Sequence, residues 1–285
     1  MQIIGAWLLA LMLLGGCSAV RIGYNQAPTL AWWWLDGYIG FDAAQTPQAK
    51  AALRQWFEWH RATQLEDYAA LLASAQPLVL QPTTPQQVCG WSARLRERLE
   101  VAVDHAVPLA TALLPALHEG NLQQLRSKLA KSNRDFERDQ LRDDDARLDK
   151  AIARWIDRSE RLYGRLDARQ RELIASGVRD APFDAKVWQA QRLATQRELL
   201  RTLSLATTPT GPAASREREA LATLAEHWLH PGEPYRGYQQ RLGEYHCELM
   251  ARLHNSTTPT QRAHARERLQ GWEEDVRALA AQASP

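Results

Sequence analysis

Residues 145–166, DARLDKAIARWIDRSERLYGRL, decide the fold class. Leu148, Ile152, Trp155, Ser159, Leu162 and Leu166 recur alternately four and three residues apart. That spacing places them in one stripe of a helix with 3.6 residues per turn, a seam that packs on neighbouring helices at a shallow angle. A half-buried strand needs alternation at every second residue, and no run of alternating apolar and β-branched positions is long enough for one.

Outward from this seam the chain repeats one start signal. Asp42-Ala43-Ala44-Gln45, Thr84-Pro85-Gln86-Gln87, Asp167-Ala168-Arg169-Gln170 and Thr258-Pro259-Thr260-Gln261 each set an N-cap acceptor three residues before a glutamine. In such a capping box, side chain and backbone satisfy each other's orphan groups at a helix start. Two of the four add proline at the first helical position, where a missing N–H costs nothing. Thr63-Gln64-Leu65-Glu66 is a further box, predicting a bend or restart there. Helices are expected over 46–62, 64–76, 85–106, 108–118, 121–142, 145–165, 168–177, 183–205, 214–229, 234–254 and 259–281. Pro108 and Pro115 are expected to break or kink the helix before them. The fold class is all-α, a multi-helix bundle of antiparallel helical hairpins. Breaker-rich stretches at 76–85 and 206–215 are too short to prove a boundary, so one α-helical domain over 42–285 is expected.

The N-terminus tells where the chain works. Residues 3–14 are an uncharged apolar run, too short to span roughly 30 Å of hydrocarbon as a helix. It closes on Leu14-Gly15-Gly16-Cys17, in which small residues precede a nucleophilic thiol. This reads as a lipobox: residues 1–16 are a cleaved lipoprotein signal peptide, Cys17 receives lipid, and 17–41 is a lipidated tether with a Trp-rich segment. A cysteine behind an ordinary signal peptide and an uncleaved anchor are the alternatives. In bacterial lipoproteins, which this segment resembles, an aspartate after the lipidated cysteine means inner-membrane retention. Ser18 stands there, which implies sorting to the outer membrane.

The chain has 285 residues, 45% hydrophobic and 24% charged, with a formal net charge of +2. It can bury a core, and it lacks the basic excess of a dedicated nucleic-acid binder. Of three cysteines, lipid accounts for Cys17. Cys89 and Cys247 remain as an even pair in an oxidising compartment, either bridged or buried as free thiols. A bridge is expected here, closing a loop of roughly 160 residues. Three of eleven tryptophans are consecutive, Trp32-Trp33-Trp34. Neighbours on a helix differ by about 100°, so at least one ring points away from the face the others use. The segment either threads into the helical core or meets the membrane interface, where tryptophan is favoured.

No catalytic constellation emerges. The histidines, among them His227, His230, His246, His254 and His264, have no carboxylate or thiolate partners at metal-ligand spacing and read as exposed helix-end residues. No metal or cofactor is expected, and no Gly-x-Ser-x-Gly occurs. Asp143-Asp144-Asp145 reads as an N-cap run. Arg134, Arg138 and Arg142 form one row beside Asp135, Asp139 and Asp143. They are candidate contacts for an anionic ligand such as peptidoglycan or lipopolysaccharide, set against a solvated, salt-bridged face.

The lipobox, the segment YNQAPTLAWWWLDGY at 24–38 and His254-Asn255-Ser256-Thr257-Thr258-Pro259 together resemble an uncharacterised family of helical proteobacterial lipoproteins. The resemblance spans nearly the whole chain after Cys17 and implies no activity. Leu166-Asp167-Ala168-Arg169-Gln170 is similar to the Leu-Thr-x-x-Gln motif of Spy-like periplasmic chaperones, with Asp167 in the threonine's place. The expected function is a non-enzymatic helical binding or chaperone-like module, anchored to the outer membrane by lipid and meeting an envelope protein or glycan. The alternative is a cell-wall or lipid-modifying enzyme with a site dispersed in sequence. A concave surface of arginines and aromatics without converging acid and base groups would favour the first; a deep pocket holding a perturbed Glu or His would favour the second.

Overall fold

The computed structural model describes residues 19–206 and 214–283. The lipobox with Cys17 and most of the 206–215 stretch lie outside them. Among the described residues the chain is all-α: α1 (Ala19–Ile39), α2 (Thr46–Thr63), α3 (Leu65–Leu78), α4 (Pro85–Thr111), a 3-10 turn at Leu114–Ala116, α5 (Glu119–Gln140), α6 (Asp144–Tyr163), α7 (Ala168–Arg179), α8 (Ala185–Ala206), α9 (Ala214–Leu229), α10 (Tyr235–Asn255) and α11 (Pro259–Ala280). Most boundaries fall within two residues of the sequence reading.

Three differences have physical causes. Helix α1 occupies the stretch read as tether and Trp-rich segment, and runs through Pro28. A single proline forfeits one bond to the carbonyl four residues back, which packing on α2, α5 and α11 offsets. Helix α4 likewise continues through Pro108 to Thr111, so the expected break at 107 and the helix 108–118 are replaced by one long helix and a 3-10 turn. The chain does restart between α2 and α3, but Thr63 is not the cap: its hydroxyl donates back to the Trp59 carbonyl at 2.8 Å.

The capping boxes explain why glutamine, rather than glutamate, was selected at their third position. Three form completely, at Thr84, Asp167 and Thr258. At Asp42 the same reciprocal bonds form just ahead of α2, Gln45 N–H to Asp42 at 2.9 Å and Asp42 N–H to Gln45 Oε1 at 3.0 Å. In each box the glutamine oxygen accepts the cap N–H, which leaves the amide NH₂ free to donate elsewhere. Gln45 donates to Asn121 Oδ1 (2.9 Å) and to the Ala116 carbonyl. Asn121, 1% exposed, answers with bonds to Gln45 Oε1 and the Gly40 carbonyl. Gln170 and Gln261 pair in the same way. The boxes at Asp42, Asp167 and Thr258 therefore join helix starts to each other as well as capping them.

Two apolar clusters hold the bundle. One gathers Tyr163, Leu166, Ile174, Val178, Leu253 and Leu269, with Leu148, Ile152, Trp155 and Leu162 of the seam packed against it. The seam's remaining member, Ser159, is 5% exposed, so the face inferred from periodicity is the inward one. The second cluster centres on Leu114, Leu122, Leu125 and Leu203, covered by Tyr38 and Ile39 at the end of α1. Fully buried Ile174 and Leu253 (0% exposed each) are worth about 1.5–3 kcal/mol apiece in transfer terms.

Candidate functional site

Cys89 and Cys247 are bridged, with Cα atoms 5.5 Å apart. The bridge joins the first turns of α4 to the middle of α10, two helices that pack together. These two helices are also walls of a cleft. Three residues beyond Cys89, Ser92 begins the α4 wall, which continues with Arg96 and Leu99. Tyr235 and Gln239 of α10, Trp228 of α9 and Pro231 also line it, and α8 contributes Trp188, Gln191, Arg192, Thr195 and Gln196. The cleft has a volume of about 590 Å³, in the range of small-molecule sites.

Its polar groups are set in place by bonds outside the cleft. The Arg192 guanidinium donates to Asn133 Oδ1 at 2.9 Å and Ser132 Oγ at 2.7 Å on α5, and lies 5.8 Å from the Phe136 ring. Asn133 exchanges amide bonds with Gln196 at 2.8 and 3.0 Å. Trp188 stacks on Phe136, centroids 5.7 Å apart and planes 15° from parallel, yet stays 40% exposed. Trp228 is 53% exposed. Burial raises the Tyr235 hydroxyl above its ordinary pKa, so it is a neutral donor.

Trp188 also lines a second cavity of about 350 Å³ between α5, α6, α7 and α10. Phe136, Trp155, Phe183 and Leu249 make this one mainly apolar, with Arg147 and Arg154 among its lining. Arg147 sits 5.4 Å from the Phe183 ring and pairs with Asp144 at 3.0 Å. The two cavities thus share one tryptophan as a common wall. Among the described residues, neither is lined by an aspartate or glutamate.

The histidines correct the sequence reading. His254 and His60 are core residues rather than exposed helix ends, 5% and 9% exposed, and His246 is half-buried beside Trp155 with centroids 5.4 Å apart. Burial lowers all three pKa values. His246 lines the second cavity without an acid or nucleophile in that lining, so it has no catalytic partner there. Among the described residues no group of three His, Cys, Asp or Glu side chains could hold a metal ion.

Arg134, Arg138 and Arg142 are exposed and line neither cavity. Arg138 bonds Asp135 at 2.7 Å and Asp139 at 3.0 Å. Hydrogen bonds donated by Lys131 and then Arg138 hold the Asp135 carboxyl below the usual range, and one donated by Arg138 does the same for Asp139. Arg138 is thus part of a salt-bridged network with Lys131, Asp135 and Asp139. The cleft residues escaped sequence reading because they come from four helices and share no spacing; the excess of tryptophan was the one available signal. The Leu166–Gln170 motif serves the fold, since the Gln170 amide is taken up by Ser256 and Gln261.

Comparison with known proteins returns one family model, described as a family of unknown function (DUF6279), matching residues 37–228. The chain belongs to this family. No curated protein and no solved structure matches it.

Proposed function

We propose that this family member is a lipoprotein of the outer membrane, lipidated at Cys17 and facing the periplasm, that works as a non-enzymatic binding module for an acidic envelope glycan. The observation that carries the reading is the makeup of the 590 Å³ cleft: two arginines, two tryptophans, a tyrosine and three glutamines, with no carboxylate or histidine among the described residues that line it. Indole faces stack on the C–H faces of sugars, and amides match hydroxyl and acetamido groups. Guanidinium groups pair with carboxylate or phosphate in two-point contacts. Peptidoglycan fragments and lipopolysaccharide core sugars carry this combination. General acid–base chemistry needs a titratable pair at the reacting bond, and the cleft lining offers none. The anchoring half rests on Leu14-Gly15-Gly16-Cys17, and the Cys89–Cys247 bridge suits an exported chain.

The test is titration of the purified protein with soluble peptidoglycan fragments and with lipopolysaccharide core oligosaccharide. Saturable binding to one of them, weakened about tenfold in Trp188→Ala and again in Arg96→Ala, is expected. Both side chains are partly or fully exposed, so their loss leaves the core intact. Unchanged affinity in both variants overturns the glycan site, and turnover of the ligand overturns the non-enzymatic reading. For the anchor, Cys17→Ala should abolish palmitate incorporation in cells.

A further inference from the structure

The outer face of α1 breaks the pattern of a solvated helix. Ile22, Leu30, Trp33 and Trp34 are 57%, 53%, 66% and 65% exposed. Every exposed position of this helix from Val20 to Ile39 is uncharged. Its two charged residues lie off that face: Arg21 is half-buried beside Asp275 at 3.9 Å, and Asp36 accepts the Phe41 N–H at 3.0 Å. Ile22, Gln26, Leu30 and Trp33 follow one another at spacings of four, four and three, so they form a single stripe rather than scattered apolar tips.

Beside the stripe lies a cleft of about 370 Å³ between α1 and α2. Trp32, Trp33 and Pro28 form its aromatic and apolar side, and Lys50 and Arg54 its cationic side, with no carboxylate among the described residues of the lining. The Lys50 ammonium sits 4.8 Å from the Trp32 ring centre. Exposed tryptophans flanked by cations have the chemistry of the headgroup layer, where indoles settle and basic side chains meet phosphate.

The chain preceding α1 selects the occupant. Residues 1–18 contain the apolar run 3–14 and Cys17, and they join α1 at Ala19, one turn before Ile22. A lipid on Cys17, or the apolar segment where it is retained, puts a membrane-partitioning group immediately next to the stripe. Tethering of this kind gives the stripe a high effective concentration at a bilayer.

We infer that the outer face of α1 docks onto the phospholipid surface, with Trp33 and Trp34 at headgroup depth and Lys50 and Arg54 on lipid phosphates. This deepens the anchoring half of the proposed function by adding a second membrane contact that sets the orientation of the body. The test uses the chain from Ser18 onward, which contains every described residue and neither the apolar run nor Cys17. It should sediment with mixed phosphatidylethanolamine–phosphatidylglycerol vesicles. The double substitution Trp33→Ser/Trp34→Ser should weaken this by about tenfold or more. Lys50→Glu/Arg54→Glu should remove the dependence on phosphatidylglycerol, and Leu95→Ser, at an exposed apolar residue of α4, should leave sedimentation unchanged. Equal sedimentation of wild type and the tryptophan double variant, or none by either, overturns the inference. So does a wild-type dimer that the double variant abolishes, because it assigns the face to a second copy. Palmitate labelling at Cys17 is read separately in cells, so failure of lipidation and failure of the docking face are distinguishable.

Discussion

Gln170 and Gln261 face each other across the starts of α7 and α11, each amide donating to the other's oxygen at 2.8 and 2.9 Å. Gln170 is 2% exposed, and its Nε2 also reaches the Ser256 carbonyl at 3.0 Å. Gln261 reaches the Arg165 carbonyl at 2.9 Å. One residue type thus completes two capping boxes and welds them together. Only an amide can do both, because it accepts at one atom and donates at the other.

Gln170→Glu isolates that second role. Glutamate keeps the capping bond but turns an oxygen toward the Ser256 carbonyl and Gln261 Oε1. A loss of about 3 kcal/mol at neutral pH is expected, because a buried charge is left facing acceptors. The new carboxyl has its folded pKa raised, so its penalty is absent below the unfolded pKa and grows as pH rises through the folded one. Chemical denaturation of variant and wild type at pH 4.5 and 7.5 should show the gap narrowing on acidification. An equal gap at both would mean that the amide donor contributes nothing.

The pH profile of the wild-type protein follows from its buried rings. Nε2 of His254 lies 2.7 Å from the Gln81 carbonyl, and so carries the proton. Its Nδ1 then accepts from the Tyr163 hydroxyl at 2.9 Å. Burial lowers His60, His246 and His254 from 6.5 and pushes Tyr163 and Tyr24 up to about 12. On the acid side the unfolded chain binds protons first, so stability is full above pH 6.5 and falls toward the folded histidine values. On the alkaline side the unfolded tyrosines ionise first, and stability is lost between about pH 10 and 12. Melting temperature should therefore form a plateau with two shoulders. Tyr163→Phe should cost about 1–3 kcal/mol by leaving Nδ1 without a donor.

The bridge should matter more to stability than its two sulfur atoms suggest. Cys89 and Cys247 are 158 residues apart in sequence, and a long closed loop restricts the unfolded chain strongly. Replacing both with alanine should lower stability by about 2–5 kcal/mol. Alkylation of the unfolded, non-reduced protein should label neither thiol.

Core depth can be checked at Ile174, which is 0% exposed in the cluster that also contains Tyr163 and Leu253. Ile174→Ala should cost about 2–5 kcal/mol, the transfer term plus the cavity left behind. Trp155→Ala should cost less than a fully buried indole, because its ring also borders the 350 Å³ cavity. Denaturation midpoints of the pair order the two positions.

Helix identity was legible locally because its determinants are local. The 148–166 seam, the Thr84, Asp167 and Thr258 boxes and the Asp143 cap act through bonds spanning three or four residues, which letters in order display. The same holds for the apolar run before Cys17. Helix α1 was missed because its stability comes from α2, α5 and α11, elsewhere in the chain, which override Pro28. His60 and His254 were misplaced for a related reason: their burial depends on Tyr24, Tyr163 and Gln81, at separations of 36, 91 and 173 residues. Arg96, Trp188, Trp228 and Tyr235 share no period, and only the packing of α4, α8, α9 and α10 brings them around one cleft. Sequence order determines which faces are apolar and where helices start. Which apolar faces meet, and therefore where a cavity remains between them, is a property of side-chain volumes summed over the whole bundle, and tertiary structure alone decides it.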